Sequence, residues 1–350
     1  MGKVLIFSDP HLGLRRKANT SMASSMRLQQ KLLSMAIKAG TKMKNDLECS
    51  WSFCLGDLFD TYRNPEHVIK DAASAISQVD MVLAGNHDLE NRAESIGSLQ
   101  LLSSMLPDNH KFVINSLGEA ESYHVSHGTT SFLSVPHTAT QELFENALDD
   151  AAGFASTLEG KWKILLLHCN YHLSYENLPD TSINLTKEKT DELLQTFHKI
   201  FIGHEHIPAE HYDGRVIIVG NTFPTGFSDI SDKRVLTYDT ETGEHESHVL
   251  WESDAFAGNA SEAAAHASHG AFLDLVDDLP PGEASKLVTS LFKEDNVMAV
   301  RLRSEAQNRI KGEKLSAASL QSLPEVISED LKHTDQELFS VWKELSHGNS

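Results

Sequence analysis

A chain of 350 residues that is 40% hydrophobic has the apolar content of a globular protein, length for about two domains and a core that needs no disulfide staples. Its three cysteines, Cys49, Cys54 and Cys169, form no CxxC pair, which excludes a disulfide framework and a zinc ribbon and points to a reducing cytoplasm. With 30 Lys and Arg against 50 Asp and Glu, the formal charge of -20 excludes a surface that coats nucleic acid or anionic lipid, so any polyanionic substrate needs a local positive source such as bound divalent metal.

Val4 to Phe7 predicts a buried strand that runs at once into Ser8-Asp9-Pro10-His11. Apolar residues at three-to-four spacing predict a helix over Arg27 to Ala39. Ser52 to Leu55 predicts a second strand, ending at Gly56-Asp57, and a helix follows over Pro65 to Ala75. Met81 to Ala84 is a third strand, ending at Gly85-Asn86-His87-Asp88, with a helix over Ser95 to Leu106. A hairpin is expected over Ser122 to Val135, and a helix over Gln141 to Ala152 opens after Thr138-Ala139-Thr140. Ile164 to Leu167 then precedes His168, Ile200 to Ile202 precedes Gly203-His204-Glu205-His206, and Val216 to Val219 precedes Gly220-Asn221.

Arg234 to Asp239 is strand-like and ends in the turn Thr240-Glu241-Thr242-Gly243, so the core is expected to close near residue 250. The Ala, Ser, Gly and His of Asp254 to Gly270 offer little to pack and predict a linker, with His266 and His269 solvated. Strand, helix and strand follow at Phe272 to Val276, Pro281 to Phe292 and Val297 to Leu302; after Gly312 the chain reads as helical and only partly amphipathic. No apolar run approaches the roughly 18 residues that span a bilayer, and Met1-Gly2-Lys3 leads into a strand, so no membrane partner is expected.

Ligands in open α/β sheets bind at the carboxyl ends of strands, where this chain repeatedly places Asp, Asn and His. Asp9, His11, Asp57, Asn86, His168, His204 and His206 form a mixed oxygen and nitrogen set without thiolate, suited to Mn²⁺ or Fe²⁺ and tolerant of Zn²⁺. Seven ligands exceed one ion and suit two, about 3.5 to 4 Å apart, with one bridging carboxylate. Such a pair stabilises the attacking and leaving oxygens at phosphorus, which predicts phosphoester hydrolysis.

Asp9-Pro10-His11, Gly56-Asp57-Leu58-Phe59-Asp60, Gly85-Asn86-His87-Asp88, His168 and Gly203-His204-Glu205-His206 resemble, in family order, the blocks of the calcineurin-like metallophosphoesterases. His11-Leu12-Gly13, Thr61 after Asp60, Gly220 to Thr225, Tyr238 to Thr242 and the C-terminal extension are similar to the SbcD branch of DNA-repair nucleases, most of all to its bacteriophage recombination nuclease subunits. The resemblance implies an α/β fold: a four-layer αββα sandwich with a small strand-helix-strand cap and a helical tail. The divisions are a nuclease core over 1–250, a linker over 251–270, a capping domain beside the DNA groove over 271–305 and a partner-binding tail over 306–350.

Carried over by motif, Asp9, His11 and His206 hold one metal, Asn86, His168 and His204 the other, and Asp57 bridges. His87 is the acid for the leaving 3′ oxygen, with Asp88 fixing its tautomer. Asp60 either supports a neighbouring ligand or caps the helix near Pro65. Cys54 and Cys169 are expected to pack as small hydrophobes, and His124, His127 and His137 to shape the groove.

The implied cofactor is a pair of Mn²⁺ ions, with Mg²⁺, Fe²⁺ or Zn²⁺ compatible. The implied activity is 3′–5′ exonuclease and single-strand endonuclease, in the cytoplasm of a bacterial cell or a phage-infected host. The implied partners are DNA, an SbcC-type coiled-coil ABC ATPase gripped by the C-terminal helices, and a second copy of the chain through Arg27 to Ala39 and Ser95 to Leu106. The alternatives are a stand-alone small-molecule phosphodiesterase or nucleotide phosphatase and a catalytically degenerate scaffold; the latter is disfavoured by the complete ligand set.

Overall fold

Alternation along the buried strands decides how the layers stack. In β1 (Lys3–Phe7), Val4 and Ile6 turn to one face while Leu5 and Phe7 turn to the other, and all four are buried. A strand with two apolar faces must be covered on both. The computed structural model of the chain describes residues 2–14, 38–89, 97–107, 110–114, 122–172, 183–227, 231–251, 255–267, 271–277, 279–293 and 297–303.

Further along the chain come β2 (Cys49–Cys54), β3 (Met81–Leu83), β4 (Lys111–Val113), β5 (Tyr123–His127), β6 (Thr130–Val135), β7 (Trp162–His168), β8 (Asn170–Tyr171) and β9 (Asn184–Leu185). After them are β10 (Lys199–Gly203), β11 (Ala209–His211), β12 (Val216–Ile218), β13 (Lys233–Asp239) and β14 (His245–Trp251). One six-stranded sheet has the order β14-β13-β1-β2-β3-β4 and a second the order β11-β12-β10-β7-β6-β5. The strands leading into the predicted ligand blocks run parallel within each sheet, β1 with β2 and β3, and β7 with β10 and β12.

Val4, Ile6, Phe53, Leu83 and Tyr238 of the first sheet meet Phe132, Ile164, Leu166, Phe201 and Ile217 of the second in one apolar layer. Helices α1 (Glu66–Ala75) and α2 (Ser98–Met105) cover the outer face of the first sheet through Val68, Ile69, Ala72, Leu99 and Leu102. Helix α3 (Gln141–Thr157) and the shorter α4 (Lys187–Leu193) cover the second through Phe144, Leu148, Ala151 and Leu193. Each fully buried Leu or Phe contributes about 1.5–3 kcal/mol. The outcome is the expected four-layer α/β sandwich.

Helix ends follow local chemistry. Thr140 and Thr186 cap α3 and α4, their hydroxyls accepting from Leu143 N–H and Lys189 N–H. Pro65 precedes α1 with no side-chain cap. The predicted Arg27 to Ala39 helix lies outside the described residues except for Lys38 and Ala39, which open a π-helical turn, Lys38–Lys42.

The predicted linker is corrected. Residues Ala255–Asn259 form β15, parallel to β16 (Ala271–Val276), and Ala260–Ala265 is a 3₁₀ helix with Ala260 and Ala263 buried. Gly258 reads as loose in the sequence, yet a Cβ there would lie 2.4 Å from the Phe256 ring, so the glycine is what lets that ring lie across the strand. Phe256 in turn stacks on His266 at 3.8 Å and 8°, and His266 is exposed, as expected; His269 lies outside the described residues.

Helix α5 (Pro281–Lys293) connects β16 to the parallel β17 (Val297–Arg303), as the strand-helix-strand reading expects. Phe272 leaves this unit's own core and joins the cluster beneath the first sheet, edge-on to Phe227 at 5.7 Å. Arg301 covers Phe227 from 4.3 Å while Arg301 and Arg303 share the Asp274 carboxylate. The predicted tail over 306–350 lies outside the described residues. Among those described, no helix is long and apolar enough to cross a membrane.

Candidate metal centre

The exits from β1, β2, β3, β7 and β10 meet at one end of the sandwich. Asp9, His11, Asp57 and His204 all hold left-handed backbone there, with φ of 53°, 45°, 48° and 83°. Such a conformation costs of order 1–3 kcal/mol per residue and persists where surrounding structure demands it. Backbone hydrogen bonds do so here: Asp9 N–H donates to Gly56 O at 3.1 Å and His11 N–H to Asp57 O at 2.9 Å, tying the first two loops together.

Two triads result. The ligand atoms of Asp9, His11 and His206 lie within 4.8 Å of one another, and so do those of Asp57, His168 and His204. Asn86 Oδ1 joins the second, 2.9 Å from His204 Nδ1 and 3.2 Å from His168 Nε2. Asp57 faces both, with Oδ2 3.8 Å from His11 Nε2 and Oδ1 3.5 Å from His168 Nε2. All seven predicted ligands are therefore brought together.

The outer atoms of the imidazoles are held by the protein. His168 Nδ1 donates to Leu55 O at 2.6 Å and His206 Nδ1 meets Thr225 Oγ1 at 3.0 Å, while His11 Nδ1 makes no hydrogen bond among the described residues and has Asp60 Oδ1 beside it at 3.4 Å. Their inward Nε2 atoms are thereby aimed at the cluster. Asp60 thus supports a ligand and does not cap α1. Leu55 acts through its carbonyl, which side-chain identity cannot announce; Thr225 stands in the Gly220 to Thr225 stretch but without a legible partner.

The electrostatics ask for positive charge at the centre. Burial works against charging His168, yet the Asp57 carboxylate overrides it and raises the pKa to about 9. For His11, burial is outweighed by Asp60, Asp57 and Asp9, and its pKa also rises. Burial and the neighbouring His168 push His204 down to about 3. Asp57 is held well below the carboxylate range despite its burial, chiefly by His168 and His11. His11 Nε2 and His206 Nε2 face each other at 3.0 Å, and Asp9 Oδ1 is fully buried without a hydrogen-bond partner. Divalent cations would satisfy that orphaned oxygen and the converging lone pairs together, and the hard and borderline donors suit them.

His87 stands exposed at the rim, its ring edge-on to His11 with centroids 5.0 Å apart. Its Nδ1 donates to Asp60 O at 2.7 Å and its main-chain N–H to Asp57 Oδ1 at 2.9 Å. The expected role of Asp88 as its orienting group is corrected. Asp88 is buried, and its oxygens accept N–H bonds from Leu58, Phe59 and Gly85 at 3.2, 3.0 and 3.0 Å. It is a loop brace, and burial together with Asp57 raises its pKa to about 7.

The remaining histidines divide. His137 lies near the centre, 6.3 Å from the His168 ring, whereas His127 stacks on Trp51 and His124 packs against Phe154, so neither of these two shapes the groove at the metal end. Cys54 and Cys169 are buried, and burial pushes both thiols well above their usual range, in keeping with packing as small hydrophobes.

Close packing adds a test. A Cβ on Gly85 would lie 2.1 Å from Asp57 Oδ1 and 2.4 Å from Asp57 N. Gly85→Ala is therefore expected to displace Asp57 and to lower turnover of bis(p-nitrophenyl) phosphate roughly 10²-fold, the cost of a misplacement near 1 Å. Steady-state kinetics with a metal assay check it.

Two apposed sheets whose strand exits converge on paired Asp and His triads define a metal-binding hydrolase of the α/β sandwich class. The family model for calcineurin-like phosphoesterases matches residues 2–208, and the chain belongs to that family of metal-using phosphoester hydrolases. Among solved structures it is similar to an archaeal phosphodiesterase, 16% identical over 71% of this chain and 99% of that one, with a TM-score of 0.36. It is also similar to a dimetal phosphatase from Danio rerio, 11% identical over 72% and 97%, at 0.44, and to the NAD nucleotidase of Haemophilus influenzae, 12% identical over 94% and 60%, at 0.36. No curated protein matches significantly.

Proposed function

We propose that this chain is a two-metal phosphodiester hydrolase acting on DNA, the Mn²⁺-dependent nuclease subunit of an SbcCD-like ATPase and nuclease complex in recombination, repair and end processing. The observation that carries the hydrolase reading is Asp57, whose two oxygens face one triad each. The DNA reading is supported by the motif set and by the three-stranded unit docked through Phe272 onto Phe227, two residues beyond the Thr225 that holds His206.

Asp9, His11 and His206 would hold one cation, Asn86, His168 and His204 the other, with Asp57 between. Bound there, the pair supplies Lewis acidity toward the phosphoryl oxygens and a water acidified enough to attack phosphorus. Leu55, Thr225 and Asp60 keep the three imidazoles in the orientation this requires. His87 would act as the imidazolium: Nδ1–H stays on Asp60 O while Nε2–H passes its proton to the departing 3′ oxygen as the P–O bond breaks, leaving the neutral ring.

Digestion of end-labelled duplex and hairpin DNA with Mn²⁺, beside bis(p-nitrophenyl) phosphate and cyclic nucleotides, tests the reading. Cleavage of DNA is expected. Hydrolysis of the small diesters alone would leave a stand-alone phosphodiesterase.

The tail over 306–350 is proposed to grip the coiled coil of the ATPase. In a helix, Leu338, Val341, Trp342 and Leu345 would share one apolar stripe with Phe339 at its edge, a face suited to a partner's coil. Deleting residues 313–350 is expected to leave Mn²⁺-dependent cleavage of single strands largely intact and to abolish co-purification with the ATPase and ATP stimulation on duplex. An unfolded truncation would assign the tail to the core. A homodimer is proposed through α2, whose Leu99 and Leu102 face its own sheet while Leu101 and Met105 stand exposed.

A further inference from the structure

An open cavity of about 490 Å³, lined by Tyr171, His172, Lys187, Glu205, His211 and Tyr212, is within the size range of small-ligand sites. One side grows from the segments that carry the ligands, through Tyr171, His172 and Glu205; the other is made by Lys187 at the start of α4 and by His211 and Tyr212 at the end of β11, level with the start of β10. Tyr171 follows His168 by three residues, and Glu205 lies between His204 and His206. Glu205 Oε1 accepts the Tyr171 N–H at 2.6 Å, which locks the two segments together.

The lining is aromatic and close to neutral. Tyr171 and His211 pack with ring centroids 4.9 Å apart and 35° between their planes. The Lys187 ammonium lies 5.6 Å from the Tyr212 ring centroid, and its charge is matched by Asp191, which accepts from Lys187 Nζ at 3.0 Å and from Tyr212 Oη at 2.7 Å. With Lys187 paired and Glu205 present, the cavity offers no net positive charge to a second phosphate. Aromatic faces with polar atoms at their edges instead match a flat, uncharged heteroaromatic ring.

We propose that this cavity is a nucleobase subsite that takes one base of the strand whose phosphate sits at the metal centre. The proposal rests on the reading of the substrate as DNA. The subsite anchors a single unpaired base on the second sheet's side of the centre, so it favours single-stranded or frayed substrate over intact duplex.

An abasic scan tests it. Binding of a fluorescent 12-nucleotide single strand is followed by anisotropy in EDTA, with one abasic residue stepped along the strand. At one register, removing the base is expected to weaken binding by the wild-type chain roughly 5- to 150-fold, the range that base-on-aromatic stacking supplies. In His211→Ala, and separately in Tyr212→Leu, the intact and abasic strands should bind alike at that register. A strand that is bound and cut with no base-dependent register overturns the subsite and leaves the nuclease reading standing. Base dependence that survives both substitutions overturns its location. A wild-type chain that hydrolyses bis(p-nitrophenyl) phosphate but neither binds nor cuts DNA removes the nuclease reading and the subsite with it.

Discussion

Asp57→Ala is expected to release bound metal and abolish phosphodiester hydrolysis in one step. Two divalent cations about 4 Å apart repel by roughly 4 kcal/mol even at the dielectric of bulk water, four times the unit-charge value, and by more inside a protein. The carboxylate that faces both triads offsets that repulsion, and Asp57 stays ionised because His168 and His11 hold its pKa down. Alanine removes the negative charge and the acceptor of the His87 N–H, but the β2 exit stays tied to the first loop because Asp57 O still accepts the His11 N–H. The loss should therefore appear in metal content before it appears in stability. Metal analysis of the purified variant decides the matter: two ions per chain would remove the bridging role, and one ion with no activity would show that a single triad binds without the other.

The chemistry of this site was legible because each ligand follows an apolar run at a strand exit. Val4 to Phe7 delivers Asp9 and His11, Ser52 to Leu55 delivers Asp57, and Ile200 to Ile202 delivers His204 and His206. Parallel pairing of β1 with β2 and of β7 with β10 then puts those exits side by side, which pattern alone anticipates. What escaped depends on direction and backbone. His127 belongs to the hairpin, but β5 runs antiparallel and pairs His127 with Thr130, at the edge away from Val135, so it lands at the far end of the sheet. Asp88 is next to His87 in sequence, yet its side chain turns to three backbone amides while a carbonyl of Asp60 orients the imidazole. Residues 255–259 hid as a linker because Ala and Gly carry no periodic signal, although small side chains let Phe256 and His266 stack over them.

His87→Ala should have the opposite signature to Asp57→Ala: metal retained and turnover lost. The variant keeps the main-chain N–H that donates to Asp57 Oδ1, so the loop and the carboxylate stay in place. What disappears is an exposed imidazole whose Nδ1–H is engaged by Asp60 O and whose Nε2 can deliver a proton only from the imidazolium form. Proton transfer of this kind is typically worth about 10² to 10⁴ in rate. The size of the loss should depend on the leaving group. A 3′ alkoxide of DNA is strongly basic and needs the proton as the P–O bond breaks, whereas p-nitrophenolate departs readily without one. DNA cleavage should thus fall by about 10²- to 10⁴-fold and hydrolysis of bis(p-nitrophenyl) phosphate by much less. Equal losses on both substrates would assign His87 to charge stabilisation or positioning. Loss of metal would instead make His87 a ligand, in line with the proximity of its ring to His11 and Asp57.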